Sequence, residues 1–267
     1  MTPLLDISTL TRRFGGLVAI DGVSTAIESG EIRGIIGPNG AGKTTLLNMV
    51  SGHLRPSSGR VSYAGRDVTG MRADKLAAMG VRRTFQNVRL FGDMTVLGNT
   101  LVGLHANGHA GIFAALLRTR GQQREERSMV DAGMTALERV GLASQANAPA
   151  SSLAYGHRKV LEIARAVVAA PKVLLLDEPA AGLNASEAAN LIVAIRRINS
   201  DGVTVVIVEH HMEVIMNVCS RVTVLNYGKH LAEGTPAETQ GNPQVIEAYL
   251  GRGGVADRIM ALKAAHA

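Results

Sequence analysis

The sequence predicts an α/β fold: a parallel sheet with crossover helices, an N-terminal antiparallel β subdomain and an inserted helical subdomain. Three observations carry this. Residues 32–36 and 173–176 read as strands buried on both faces, each followed by a helical pattern, as parallel strands with crossover helices are. Residues 4–9, 23–28 and 60–63 instead alternate apolar and polar side chains, with Gly or Pro between the runs, as half-buried antiparallel strands do. Between about 87 and 150 the strand signals fade, and residues 112–117 and 129–140 space their apolar side chains at helical intervals.

Further along, residues 203–208 read as another buried strand, and residues 221–225 as a strand that continues past Asn226-Tyr227-Gly228 into a hairpin. Residues 1–251 are expected to form a single domain with a helical insert at about 87–170, and residues 252–267 a tail with Val255, Ile259 and Leu262 at helical spacing. A chain of 267 residues, 46% hydrophobic and 19% charged, supports one sizeable core with room for a smaller subdomain.

Several classes of function are excluded or disfavoured at this level. The longest apolar runs are broken well before the roughly 18 residues that a membrane span needs. The first eight residues carry Asp6 and lack a basic region followed by an apolar stretch, so we expect no secretion signal and a cytoplasmic location. The single cysteine, Cys219, rules out an internal disulfide and a cysteine-cluster metal site, and is expected to be a core thiol. A net charge of +6 is compatible with nucleic acid, an anionic membrane surface or a nucleotide. Aromatic residues make up only 3% of the chain and Trp is absent, which disfavours a nucleic-acid partner that needs stacking platforms.

The chemistry begins at Gly37-Pro38-Asn39-Gly40-Ala41-Gly42-Lys43-Thr44, followed by Thr45, which matches G-x-x-x-x-G-K-[ST]. It lies where the mechanism requires, after a buried strand and before a helical run, and predicts a P-loop NTPase core. Glycines let the backbone N–H groups wrap an anion closely; Lys43 supplies a positive charge for the β- and γ-phosphates of ATP, and the Thr44 hydroxyl a ligand for Mg2+. At the end of the strand 173–176 stand Asp177 and Glu178. A carboxylate at that place in P-loop enzymes helps hold Mg2+, here Asp177, and an adjacent one can act as general base on the attacking water, here Glu178. The strand 203–208 ends in Glu209-His210-His211, and because the carboxyl ends of parallel strands line one crevice, His210 is a candidate for the γ-phosphate.

One more segment, Leu153-Ala154-Tyr155-Gly156-His157-Arg158, precedes a helical pattern 20 residues ahead of Asp177. With it, nearly the whole chain resembles the nucleotide-binding subunits of ABC transporters, whose signature motif sits there. The resemblance implies that Phe14 stacks on adenine, that Gln86 links Mg2+ to a transmembrane partner, and that Ala181-Gly182-Leu183-Asn184 forms the loop that communicates across a dimer. It also implies that Leu153–His157 acts on the ATP held by the partner subunit. A helix opening at Gly156 offers N–H groups and a dipole suited to that anion. The chain departs from the common Leu-Ser-Gly-Gly-Gln form at Ala154, Tyr155 and His157, has Asn184 where Asp is usual, and His211 where importers often have Asp.

Leu-Ala-Tyr-Gly at 153–156, the run Phe85-Gln86-Asn87-Val88-Arg89-Leu90-Phe91, and Gly234-Thr235-Pro236 with Asn242-Pro243 and Tyr249-Leu250-Gly251 are similar to the branched-chain amino-acid importer ATPases. That resemblance implies an ATPase with a second ATPase subunit, two transmembrane permeases and a periplasmic binding protein as partners, peripheral at the cytoplasmic face of the inner membrane. Nucleic acid is not expected. Alternatives are the same motor serving urea, amides or aromatic acids, a DNA-associated ATPase, or a non-hydrolysing nucleotide sensor.

Overall fold

The computed structural model describes residues 2–84, 89–107 and 120–250. In chain order the strands are β1 (Leu5–Phe14), β2 (Leu17–Ile27), β3 (Ile32–Ile36), β4 (Ser58–Tyr63), β5 (Arg66–Asp67), β6 (Val81–Arg83), β7 (Val173–Asp177), β8 (Thr204–Val208), β9 (Arg221–Asn226) and β10 (Lys229–Gly234). The chain divides into two compact units, residues 1–70 with 207–267 and residues 71–206, the boundary falling within β8. The expected α/β class is observed, and among the described residues no helix is long and apolar enough to cross a membrane.

In the first unit an antiparallel sheet has the order β2-β1-β4-β5, and β10-β9-β3 are neighbours in a second sheet, β3 and β9 running parallel. The alternating runs of the sequence are thus real strands, but longer than the alternation suggests. Thr9 adopts φ 48° and the β1–β2 register shifts between Ile7 and Leu10, so the in–out pattern is reset at residue 9 while pairing continues to Phe14. Gly22, at φ 65°, marks a similar break in β2. The hairpin β9–β10 pairs Asn226 with Lys229, leaving a two-residue turn in which Tyr227 and Gly228 have φ 46° and 76°. That is the turn geometry whose twist suits a hairpin.

Arg33 stands in the middle of β3 and is only 2% exposed. A buried guanidinium is tolerable only when its donors are used. Its Nη1 lies 2.8 Å from Glu233 Oε2 and donates to Thr223 Oγ1 at 3.0 Å; its Nη2 donates to the Ala26 carbonyl at 2.8 Å, and its Nε pairs with Glu31. One side chain therefore fastens β3 to β2, β9 and β10. Behind it Cys219 is buried as expected, and burial pushes its thiol up to about 12.

In the second unit β6 and β7 run parallel, with Val81 opposite Val173 and Arg83 opposite Leu175, and β8 follows as the neighbour of β7. Every residue of β7 and β8 is buried. The helices Tyr155–Val167 and Ala185–Ser200 supply apolar faces to this core through Leu161, Ile163, Ala164 and Val167, and through Leu191, Ala194, Ile195 and Ile198. The helical insert contains Val96–Leu101 and Arg120–Arg139; Gly133 lets the latter close on Leu97, whose Cδ1 would lie 2.7 Å from an added Cβ. The expected helix at 112–117 and the C-terminal tail lie outside the described residues.

Removing Arg33 takes a buried cation from Glu31 and from Glu233, which keeps Arg221, Thr25 and Thr223 among its partners. Arg33→Ala is expected to destabilise the protein by about 3–5 kcal/mol, read from denaturant unfolding. Burial alone would raise Glu233, but the bonds from Arg33, Thr25 and Thr223 hold it below the ordinary carboxylate value. Because the folded value is the lower one, this group's stabilisation is present above the unfolded pKa of about 4.3 and is lost as the pH falls through the folded value. The acid-side fall in melting temperature is therefore expected to shrink in Arg33→Ala.

Candidate functional site

The loop 37–44 is shaped by the backbone rather than by side chains. At Gly37, φ is 151° and an added Cβ would lie 2.1 Å from the Leu225 carbonyl; at Gly42, φ is 98° and a Cβ would meet Ile20 Cδ1 at 2.6 Å and the Ala19 carbonyl at 2.7 Å. The chain can leave β3, pass between β2 and β9 and enter the helix Lys43–Val50 only with glycine at both places. Gly228, in the β9–β10 turn, donates its N–H to the Ala41 carbonyl at 3.1 Å and accepts from Asp21 N at 2.8 Å, which braces the loop from behind. Lys43 is 7% exposed, and its Nζ donates to the Gly37 carbonyl at 2.7 Å and the Pro38 carbonyl at 3.0 Å. The helix has no side-chain cap and no acid in its first turn, so its N-terminal N–H groups and dipole favour an anion. Asn39, Gly40 and Thr44 are exposed and Thr45 is half-buried.

Three other groups lie in the same unit as the loop. Glu209 N–H donates to the Ile35 carbonyl at 3.4 Å, which places the end of β8 beside the end of β3, two residues before Gly37. Glu209 itself is fully buried, and its Oε2 accepts the backbone N–H groups of His210 and His211 at 3.0 and 3.1 Å and lies 2.9 Å from His211 Nδ1. The carboxylate thus fixes the backbone that presents the half-exposed His210 ring. Phe14, at the end of β1, is 44% exposed, with the Arg12 guanidinium 4.6 Å from its ring centroid. Tyr249, from the helix Pro243–Leu250, is raised by burial, partly offset by a hydrogen bond from the Gly37 backbone.

The second unit carries the acids and the signature segment. Asp177 closes β7 and is buried, with Arg83 Nη2 2.8 Å from its Oδ2. Glu178, half-buried, has φ 46°, a left-handed conformation that costs a non-glycine residue about 1–2 kcal/mol. Such strain is kept at functional turns where the surroundings over-determine it. Here the Glu178 carbonyl accepts from Ala181 N at 3.2 Å and from Nζ of the buried Lys159 at 3.3 Å. In the signature segment Leu153 is buried, Ala154 is the uncapped N-cap of the helix Tyr155–Val167, Tyr155 is exposed, Gly156 is buried, and His157 lies 3.3 Å from Gln145 Nε2. Tyr155 packs over the loop 181–184, its Cε1 3.1 Å from where a Cβ on Gly182 would stand.

Gln86 lies outside the described residues, but the flanking Thr84 and Arg89 line a groove of about 420 Å3 with Arg82, Phe91, Glu162 and Arg165. Buried Glu162 is raised by burial, opposed by the Arg89 N–H at 2.7 Å and by Arg165 at 3.2 Å; Arg82 and Arg165 are lowered by burial. Sequence reading missed the parts played by Arg83, Lys159, Glu187 and Glu209. Only Glu187 left a local signal, the Asn-x-x-Glu spacing of a capping box at 184–187.

Residues 20–181 match the ABC transporter family, and residues 229–255 match the family described as branched-chain amino acid ATP-binding cassette transporter. Over 250 residues the chain is 46% identical to the high-affinity branched-chain amino acid transport ATP-binding protein LivG of Salmonella typhimurium, covering 93% of this chain and 98% of that protein. It is 44% identical, with the same coverage, to the corresponding BraF protein of Pseudomonas aeruginosa. Among solved structures, the ADP conformation of an ATP-binding cassette of an ABC transporter superposes with TM-score 0.82 at 30% identity, covering 94% of this chain and all of that one. The glycine-built loop, the acid pair at the end of β7 and the helix opening at Tyr155 thus stand within a match that runs through most of the chain: it belongs to the ABC transporter family and carries that family's ATP-binding cassette.

Proposed function

We propose that this chain is the ATP-hydrolysing subunit of an importer for branched-chain amino acids, peripheral at the cytoplasmic face of the inner membrane. It works there with a second ATPase subunit, two permeases and a periplasmic binding protein. The cargo assignment is carried by one observation, the likeness of residues 229–255 and of the chain as a whole to branched-chain amino acid ATP-binding proteins.

In this reading the loop 37–44 holds the β- and γ-phosphates with its backbone N–H groups, and Lys43 exchanges its carbonyl partners for phosphate oxygens. Phe14 stacks on the adenine. The exposed Thr44 hydroxyl, the Asp177 carboxylate and the Gln86 side chain are oxygen donors of the kind Mg2+ takes, and they would hold it, with Asp177 releasing Arg83. When bound, Mg2+ neutralises charge on the phosphate oxygens. Glu178 takes a proton from the attacking water, and His210, oriented through Glu209, donates to the γ-phosphate as charge develops there. Leu153–His157 of one subunit faces the ATP of the other, so binding closes the dimer and hydrolysis reopens it. The groove beside Arg89 and Phe91 passes that motion to a permease helix.

Glu178→Gln is expected to lower phosphate release by about 10²–10⁴ while leaving ATP binding intact. Unchanged turnover would remove Glu178 from the role of base. Lys43→Ala is expected to abolish high-affinity binding of a fluorescent ATP analogue, since it deletes the loop's only side-chain cation; undiminished binding would place the nucleotide elsewhere. In vesicles holding the complete complex, ATP-driven uptake of labelled leucine is expected with the wild-type chain and not with Glu178→Gln.

A further inference from the structure

Three segments of the second unit meet where the helix Tyr155–Val167 begins: its first turn, the turn that follows β7, and the start of the helix Ala185–Ser200. Glu187, in the first turn of the last of these, divides its carboxylate between the other two. Its Oε2 accepts the Asn184 backbone N–H at 3.0 Å, and Asn184 Oδ1 accepts the Glu187 N–H at 3.0 Å, completing a capping box. Its Oε1 accepts the backbone N–H of Gly156 at 3.3 Å. The capping box requires only the first two bonds. The third reaches 31 residues back along the chain, to the opening turn of another helix.

Gly156 makes that reach possible. A Cβ there would lie 2.5 Å from Glu187 Oε1 and 2.6 Å from its Cδ, so any larger residue would expel the carboxylate. Two parallel ties join the same segments: Tyr155 lies against Gly182, and Lys159 Nζ donates to the carbonyl of Glu178. From Glu178 the chain is held turn by turn, Ala181 N–H to the Glu178 carbonyl at 3.2 Å and Leu183 N–H to the Ala180 carbonyl at 3.1 Å, up to Asn184.

We propose that Glu187 is a positioning residue that couples the two nucleotide sites. By holding Gly156 with one oxygen and Asn184 with the other, it makes the segment facing the partner's ATP and the turn carrying this chain's own Glu178 move together. The inference rests on the two-subunit reading given above. A γ-phosphate arriving at Gly156 competes with the carboxylate for the same N–H and repels it. The displaced carboxylate then draws on Asn184 and, through the turn, on Glu178. Occupation of one site thereby sets the placement of the base in the other.

The test is phosphate release by the assembled complex as a function of ATP concentration, with Glu187→Ala, Glu187→Gln and Glu238→Ala. Glu238 closes a matching capping box with Thr235 in the helix Pro236–Gly241 and serves as the cap-only control. Glu187→Ala is expected to lower kcat about ten-fold and bring the Hill coefficient down towards one, with the binding of a fluorescent ATP analogue unchanged. Glu187→Gln, which keeps one acceptor oxygen, is expected to restore part of both, and Glu238→Ala to lower the melting temperature only. If wild type is cooperative and Glu187→Ala behaves like Glu238→Ala, the coupling role is overturned while the ATPase reading stands. If wild type releases no phosphate or shows no cooperativity, the two-subunit reading itself fails.

Discussion

In the proposed function the site depends on a geometric constraint in the backbone: a loop that holds an anion with its N–H groups must approach it closely, without side chains in the way. The structure meets this by pressing the loop against its neighbours. Gly37 lies so near the Leu225 carbonyl, and Gly42 so near β2, that a single Cβ at either would collide with main chain. The hairpin turn at Gly228 then closes the rear by bonding to Ala41 and Asp21. Arg33 acts one layer deeper, by fastening β3 to the strands on which the loop rests. The shape of the loop and the stability of the first unit consequently share the same contacts.

The chemistry of the second unit follows from how sharply the chain turns after β7. Asp177 ends a fully buried strand and is neutralised by Arg83, while the very next residue is forced into a left-handed conformation. Two adjacent carboxylates are thereby given different surroundings, one paired and buried, the other half-buried on a strained turn. This separation suits one acid to a cation and the other to a proton. The strain at Glu178 is held by the Lys159 and Ala181 donors, so the helix Tyr155–Val167 also stabilises the turn that carries Glu178.

Much of this was legible in the sequence where local pattern and burial agree. Residues 32–36 and 173–176 were read as buried strands because they are buried on both faces, and the P-loop spacing fell between a strand and a helix as observed. Alternation failed where a bulge resets it: β1 was followed only to residue 9, where Thr9 turns to positive φ, although pairing runs on to Phe14. The Arg83–Asp177 pair was not legible because β6 is only three residues long and its partner lies 94 residues away. The Glu187–Gly156 bond is equally non-local. Its capping box was visible at 184–187, but nothing in that spacing indicates a second acceptor role for the Glu187 carboxylate.

The most direct measurement is steady-state phosphate release by the complete complex in lipid, with the binding protein empty, loaded with leucine, isoleucine or valine, or offered urea, amides or aromatic acids. The account predicts that a branched-chain amino acid with its binding protein raises the rate and the other compounds do not. A complex that hydrolyses ATP yet responds only to another cargo would contradict the branched-chain assignment, and one that hydrolyses none would contradict the motor.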